Sequence, residues 1–176
     1  MSAQRVGLLG LGCNVGDRRA QLQAAADALP GVGVDVLASS STYDTDPVGE
    51  VTDQENFLNA CLRVRSALEP LALLDTVKRL ERELGRRDSS VRHGPRVIDI
   101  DILLLGDCEL RHERMTLPHE QLLARRFVLI PALELDFEMR APVSGLGCVR
   151  LADALAALTP QEGVRWAGPP LELPDA

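Results

Sequence analysis

The chain has few aromatic residues, one lysine and no long apolar run, and each shortage closes off a class of function. Five aromatics in 176 residues, Tyr43, Phe57, Phe127, Phe137 and Trp166, are too few for the stacking platforms that hold single-stranded nucleic acid. The net charge of −7, from 19 basic against 26 acidic residues, leaves no electrostatic footprint for wrapping nucleic acid or lying on an anionic membrane. Any anionic ligand must be met by a local cluster. Nothing approaches the roughly 20 apolar residues needed to span a bilayer. The only lysine, Lys78, falls in a helical pattern, and no G-x-x-x-x-G-K-[ST] loop surrounds it. The glycines of GLLGLGCNVG do not form G-x-G-x-x-G, which disfavours a Rossmann cofactor site. Cys13, Cys61, Cys108 and Cys148 are widely separated with no C-x-x-C, and His93, His112 and His119 are scattered without the spacing of a zinc ligand set. No charged-then-apolar leader precedes the first strand-like run. A reduced, cytoplasmic protein whose cysteines serve packing is expected.

What is present is an ordinary globular balance, 45% hydrophobic and 26% charged, at a length suited to one domain. A single domain over residues 1–176 is expected, with a core over about 5–158 and a loosely held, Pro- and Gly-rich tail from 159 to 176. The apolar run Val6 to Leu11 reads as a buried strand. Asp17 then offers an N-cap, with Leu22, Ala25, Ala26 and Leu29 at helical spacing. Alternation from Val32 runs on through SSSTY to Asp44 as one strand, and a long loop follows. Phe57 to Ser66 alternates again, with Leu58, Ala60, Leu62 and Val64 inward and Phe57, Asn59, Cys61, Arg63 and Arg65 outward. Pro70 suits the first turn of a helix closed by Gly85. VIDIDILLL is the most strand-like segment. HEQLLARR is a candidate short helix, FVLIPALEL a further apolar segment and LADALAAL a short C-terminal helix. The order is β-α-β-β-α-β, an α+β, ferredoxin-like core whose antiparallel sheet is packed by helices, with C-terminal additions.

The feature that demands an explanation is Asp99 and Asp101 inside the apolar strand. Alternation projects both carboxylates from one face, about 6 to 7 Å apart, while Ile98, Ile100, Ile102 and Leu104 hold the other face in the core. Two like charges on a half-buried strand are costly unless a cation neutralises them. Just upstream, GRRDSSVRHGPR carries Arg86, Arg87, Arg92 and Arg96 against the single acid Asp88, a local excess of positive charge in an acidic protein. Guanidinium forks that grip phosphate beside hard carboxylate oxygens that hold Mg²⁺ are what a magnesium nucleotide requires. A surface pair of acids salt-bridged to arginine is the plain alternative.

The combination of LGLGCNVGD, FLNA, GPRVIDIDILLLG and LPHEQLLARRFVLIPALE resembles the 6-hydroxymethyl-7,8-dihydropterin pyrophosphokinases of folate biosynthesis, over about residues 5–140. The resemblance implies transfer of pyrophosphate from ATP to the pterin hydroxymethyl group, with release of AMP. It implies that Asp99 and Asp101 bind two Mg²⁺ ions and that Arg86, Arg92 and Arg96 serve the phosphates, Arg92 and Arg96 from the family's mobile loop, which starts at Arg86. Glu81, Ile102, Arg114, Thr116, His119 and Arg125 correspond to ATP contacts. For the pterin, Phe57 and Phe127 match aromatics that sandwich the ring, Asn59 the group that reads its edge, and Thr45 and Val48 loop positions that close over it. His93 stands where the family often has a large aromatic, so the resemblance implies that the cover over the pterin is either weaker here or made by imidazole stacking. Asp88, Glu120 and Cys13 depart from a frequent arginine, tyrosine and serine. ATP and the pterin are the implied partners, with no nucleic acid or membrane, and a monomer is expected. Two other classes share parts of this pattern: a ferredoxin-like nucleic-acid or nucleotide binding module without catalysis, and a palm-type nucleotidyl transferase.

Overall fold

The computed structural model describes residues 4–47, 53–86, 95–159 and 163–174. Strand β1 (Arg5–Cys13) is central, paired antiparallel with β4 (Phe57–Ser66) on one side and β5 (Asp99–Leu105) on the other. The run expected as one strand from Val32 is two, β2 (Val34–Ser39) and β3 (Thr42–Thr45), both paired antiparallel with β4. Ser40 makes the break: its N–H bonds Cys61 O and its hydroxyl receives Cys61 N–H, so a side chain takes over a ladder position.

Helix α1 (Arg18–Ala28) is capped by Asp17, whose carboxylate accepts Ala20 N–H at 3.0 Å. Helix α2 (Pro70–Glu83) starts on Pro70, and Gly85 at φ 97° turns the chain beyond its end. Leu22, Ala25 and Ala26 of α1 and Leu73, Val77 and Leu80 of α2 pack on Leu9, Leu11, Leu58, Leu62 and Ile100 as one buried cluster. Each fully buried leucine there contributes about 1.5 to 3 kcal/mol of transfer free energy.

The opposite sheet face is not simply outward. Helix α3 (Arg126–Leu135), formed by the unassigned segment FVLIPALEL, and α4 (Leu151–Ala157) cover Leu8, Cys61, Leu103 and Leu104 as a second buried cluster. Cys61 is therefore buried, not exposed, and burial pushes its thiol up to about 12. Leu104 also changes sides. In the register Leu8 opposes Leu104 while Leu9 opposes Ile102, so Leu103 is the extra residue of a bulge, which shifts the alternation beyond it. HEQLLARR forms turns, and the helix begins only at Arg126. Two hairpins complete the α+β chain: β6 (Leu110–His112) with β7 (Met115–Leu117), and β8 (Arg140–Val143) with β9 (Gly147–Arg150).

Over the described residues 163–174 the segment expected as a loosely held tail is instead attached to the fold. Residues Val164–Gly168 form β10, antiparallel to β3, which completes the sheet order β10-β3-β4-β1-β5. Leu171 is buried in the first cluster, its N–H bonded to Ser39 Oγ, and Arg19 donates to the carbonyls of Pro169 and Pro170. Proline and glycine here mark an extended path over the surface, several of whose backbone groups are bonded to the rest of the fold.

Candidate active site

Strand β5 lies at the end of the sheet order, so one row of its backbone groups faces away from β1. Helix α2 meets that edge with charged side chains. Glu81 Oε1 accepts Ile100 N–H at 2.7 Å, and Lys78 Nζ donates to Ile100 O at 3.1 Å and to Glu81 Oε1 at 2.7 Å. Glu81, 2% exposed, is thus a buried anchor. Burial pushes its carboxyl up, and Lys78 and the Ile100 amide pull it back without cancelling the rise. Arg86 Nη1 bridges Glu81 Oε2 at 2.5 Å and Asp99 Oδ1 at 2.6 Å. Arg96 holds the other oxygen of Asp99.

Asp99 and Asp101 emerge from this edge on the same face, as alternation requires, and Lys78 Nζ lies 3.8 Å from one and 3.9 Å from the other. Their electrostatics differ. Burial raises the Asp99 carboxyl, but Arg96, Lys78 and Arg86 outweigh it and hold the group below the usual carboxylate range. Burial and the neighbouring Asp99 charge push Asp101 above that range, against the pull of Lys78, His119 and Arg96. Asp101 remains 40% exposed because it opens onto space on two sides.

Those two spaces are separate cavities that share Asp101. Phe57, Asn59, Thr45, Phe127, Arg96 and Asp99 line the first. Asn59 Nδ2 donates to Thr45 Oγ1 at 2.6 Å. A Cβ on the neighbouring Gly12 would stand 2.9 Å from Asn59 Oδ1, so glycine there gives the amide its room. Arg125 lies on this same side, its guanidinium 5.5 Å from the Phe127 ring centroid, whereas the resemblance set it among ATP contacts. The second cavity is lined by Lys78, Ile102, Arg114, Thr116 and His119. Arg114 is paired with Asp75 at its rim. His119 is fixed by its N–H to Leu103 O at 2.9 Å, and its Nδ1 accepts Gln121 N–H at 3.1 Å. Glu120 accepts from Thr116 Oγ1, and Cys13 is buried with its thiol directed to Val15 O. Val48, Arg92, His93 and Asp88 lie outside the described residues.

Two residues of the site carried no signal of their own. Lys78 stood out only as lacking a glycine-rich loop, yet it is three residues before Glu81 on one helix face, and that spacing brings it to the carboxylates. Asn14 sits inside the quoted LGLGCNVGD motif. Its side chain accepts Arg96 N–H at 2.8 Å and donates to Glu55 O at 3.0 Å, tying the arginine, which lines the first cavity, to the segment that leads into β4.

Among the described residues no group of three His, Cys, Asp or Glu could cage a metal. Two oxygen-only carboxylates at a cavity junction do suit an ion that keeps its waters and takes its remaining ligands from phosphates. The residues fit Mg²⁺ arriving with a nucleotide.

A family model described as 7,8-dihydro-6-hydroxymethylpterin-pyrophosphokinase matches residues 8–137. The chain is similar to a 2-amino-4-hydroxy-6-hydroxymethyldihydropteridine pyrophosphokinase of Methylorubrum extorquens, 41% identical over 153 residues, 86% of this chain and 92% of that protein. A protein of the same name from Pseudomonas aeruginosa is 39% identical over 163 residues, 92% of this chain and 95% of its own length. A folate synthesis bifunctional protein of Arabidopsis thaliana is 39% identical over 128 residues, and these are 73% of this chain but 26% of that protein. The chain therefore spans about a quarter of the length of the plant bifunctional relatives it matches. Among solved structures, a doubly substituted Plasmodium falciparum HPPK-DHPS crystallised with pterin and p-hydroxybenzoate superposes with a TM-score of 0.69 at 15% identity, covering 89% of this chain and 44% of the other, a likeness of fold.

Proposed function

Since the chain belongs to the 7,8-dihydro-6-hydroxymethylpterin-pyrophosphokinase family, we propose that it transfers the terminal pyrophosphoryl group of ATP to 6-hydroxymethyl-7,8-dihydropterin, releasing AMP, in folate biosynthesis. The observation that carries this reading is Asp101 lying in both cavities, one with aromatic walls and one polar. A flat heterocycle in the first and a nucleotide in the second meet at the carboxylate pair, as a two-substrate transfer requires.

In this reading Phe57 and Phe127 flank the ring and Asn59, oriented by Thr45, reads its edge. Val48 and His93 complete the pterin side. Ile102, Thr116, His119 and Arg114 serve the nucleoside side of ATP, and Arg125 reaches the phosphates from beside Phe127. Arg86 and Arg96, which grip Asp99 in the free protein, exchange that carboxylate for phosphate oxygens when ATP enters, with Arg92 beside them. Glu81 is the anchor from which Arg86 and Lys78 work. The pterin hydroxymethyl oxygen loses its proton to water as it attacks the β-phosphorus, the bond between that phosphorus and the bridging oxygen breaks, and AMP leaves with the bridging oxygen. Arginines fixed before the reaction stabilise the charge that moves onto that oxygen. When bound by Asp99 and Asp101, two Mg²⁺ ions supply charge neutralisation at the phosphates.

The strand order supports a ferredoxin-like βαββαβ core within one domain, carrying C-terminal additions. Among the described residues no helix is long and apolar enough to cross a membrane. We read the protein as a cytoplasmic monomer acting on two small substrates, with no nucleic acid. Incubation with ATP, Mg²⁺ and the hydroxymethyl dihydropterin is expected to yield AMP and the pterin pyrophosphate, and chelation to abolish both. Release of ADP would replace this reading with simple kinase chemistry, and release of inorganic pyrophosphate with nucleotidyl transfer.

A further inference from the structure

The C-terminal strand lies beyond the residues matched by the family model, yet it reaches the rim of the first cavity. Val164 of β10 pairs with Thr45 and Arg165 with Asp44, and Asp46 N–H bonds Gly163 O at 3.2 Å. Arg165 Nη2 donates to Asp46 Oδ1 at 2.7 Å and to Asp44 Oδ1 at 3.1 Å. Asp44 in turn accepts from Asn56 Nδ2 at 2.8 Å and from Arg18 Nη1 at 3.0 Å. Asp46 and Asn56, on either side of the β3-to-β4 connection, are thereby joined through Asp44, with one guanidinium bridging both aspartates. Thr45 and Asp46 line the cavity, and Thr45 Oγ1 is the acceptor that orients Asn59.

We propose that Arg165 is a positioning residue for the flat substrate, acting through Asp46 and Thr45. It rests on the pterin-site reading above. The guanidinium turns the Asp46 carboxylate toward β10. Released, that carboxylate would stand unpaired at the mouth of an aromatic cavity, where it must be stripped of water whenever a ring enters. A Cβ at Gly163 would overlap both the Asp46 carboxylate and the Arg165 guanidinium, so glycine is what lets the three groups meet. Both side chains of the Arg165–Asp46 pair are half-exposed, and an exposed ion pair adds little to folding. The contribution of Arg165 therefore shows in substrate affinity and leaves stability nearly unchanged.

The test is Arg165→Met, with steady-state kinetics in both substrates and direct pterin binding followed by the ligand's own fluorescence. Kd and KM for the pterin are expected to rise about fivefold, within the range of one partly exposed charge network. KM for ATP and the melting temperature should stay close to wild type. Adding Asp46→Asn, which removes the stranded charge, should restore pterin affinity. Gly163→Ala keeps both charges but crowds the point where they meet, and should produce a smaller rise with the same selectivity for the pterin. An unchanged pterin KM, an equal rise for both substrates, or no recovery on adding Asp46→Asn overturns the role of Arg165. Wild-type protein that neither binds pterin nor releases AMP overturns the pyrophosphokinase reading, and this inference with it.

Discussion

The two faces of the central sheet are made from alternate residues of the same strands, yet one is sealed and the other is open. Under α1 and α2, Leu9, Leu11, Leu58, Leu62 and Ile100 form an unbroken apolar layer. On the other face α3 and α4 cover only Leu8, Cys61, Leu103 and Leu104, and where that cover stops, Asn59, Asp99 and Asp101 take the next positions on the same strands. The core ends and the site begins within two residues of β4, between Cys61 and Asn59. Rigidity is lent by one face to the other: carboxylates on an exposed loop would not hold their spacing, whereas here each is fixed by an isoleucine neighbour in the core.

The sharpest way to break this comparison is to change one face and read the other. Asp99→Asn removes the charge that Arg86 and Arg96 share, along with an oxygen suited to Mg²⁺. AMP formation is expected to fall about a thousandfold, ~4 kcal/mol of transition-state stabilisation, with the far-ultraviolet circular dichroism spectrum unchanged. Activity within tenfold of wild type would detach the aspartate from the chemistry. The converse substitution is Leu62→Ala, fully buried on the sealed face. It should cost about 3 kcal/mol by urea denaturation through lost transfer free energy and a residual cavity, while turnover per folded molecule stays near wild type. A collapse of turnover without loss of stability would show that the sealed face is not merely a support.

The same contrast explains which parts were legible in the sequence. Elements defined by period and punctuation came through: Asp17 as a cap, Pro70 at a helix start, and the alternation of β4 and β5. Asp99 and Asp101 were legible because a charge in an apolar strand violates the pattern, and the family resemblance supplied their roles. What did not come through depends on contacts distant in sequence. Whether Cys61 faces water is decided by α3, about seventy residues later in the chain by number. The side of Leu104 is decided by a bulge opposite β1, and alternation carries no mark of it. The final segment reads as a tail from its prolines and glycines, while its attachment is made by single residues, Leu171 and Arg165, with no period to announce them. Lys78 was hidden for the same reason, since only the proximity of α2 to the β5 edge turns one helical lysine into a neighbour of both aspartates.

The smallest expected effect separates the two aspartates themselves, in metal-free protein followed by thermal melting across pH. Asp99 is held below the ordinary carboxylate range by Arg96, Lys78 and Arg86 against its burial. Between its folded value and that range the unfolded chain binds more protons, so Asp99 adds stability that is fully present above the range and is lost as pH falls below it. Asp101 is raised by burial and by Asp99, so the sign reverses. Between the ordinary range and its folded value the native state holds the extra proton, and stability declines as pH rises through that window. Asp99→Asn should therefore lower the melting temperature at neutral pH, with the deficit closing in acid below the carboxylate range. Asp101→Asn should raise the melting temperature at neutral pH by a few degrees at most, given the solvent access of the group. That gain should vanish as pH falls into the range where an ordinary aspartate protonates, while AMP formation is lost at every pH. A carboxylate whose removal stabilises the fold and abolishes the reaction is retained for chemistry, whereas shifts of the same sign for the two variants would mean that both aspartates serve the edge of β5 and neither is set apart for a cation.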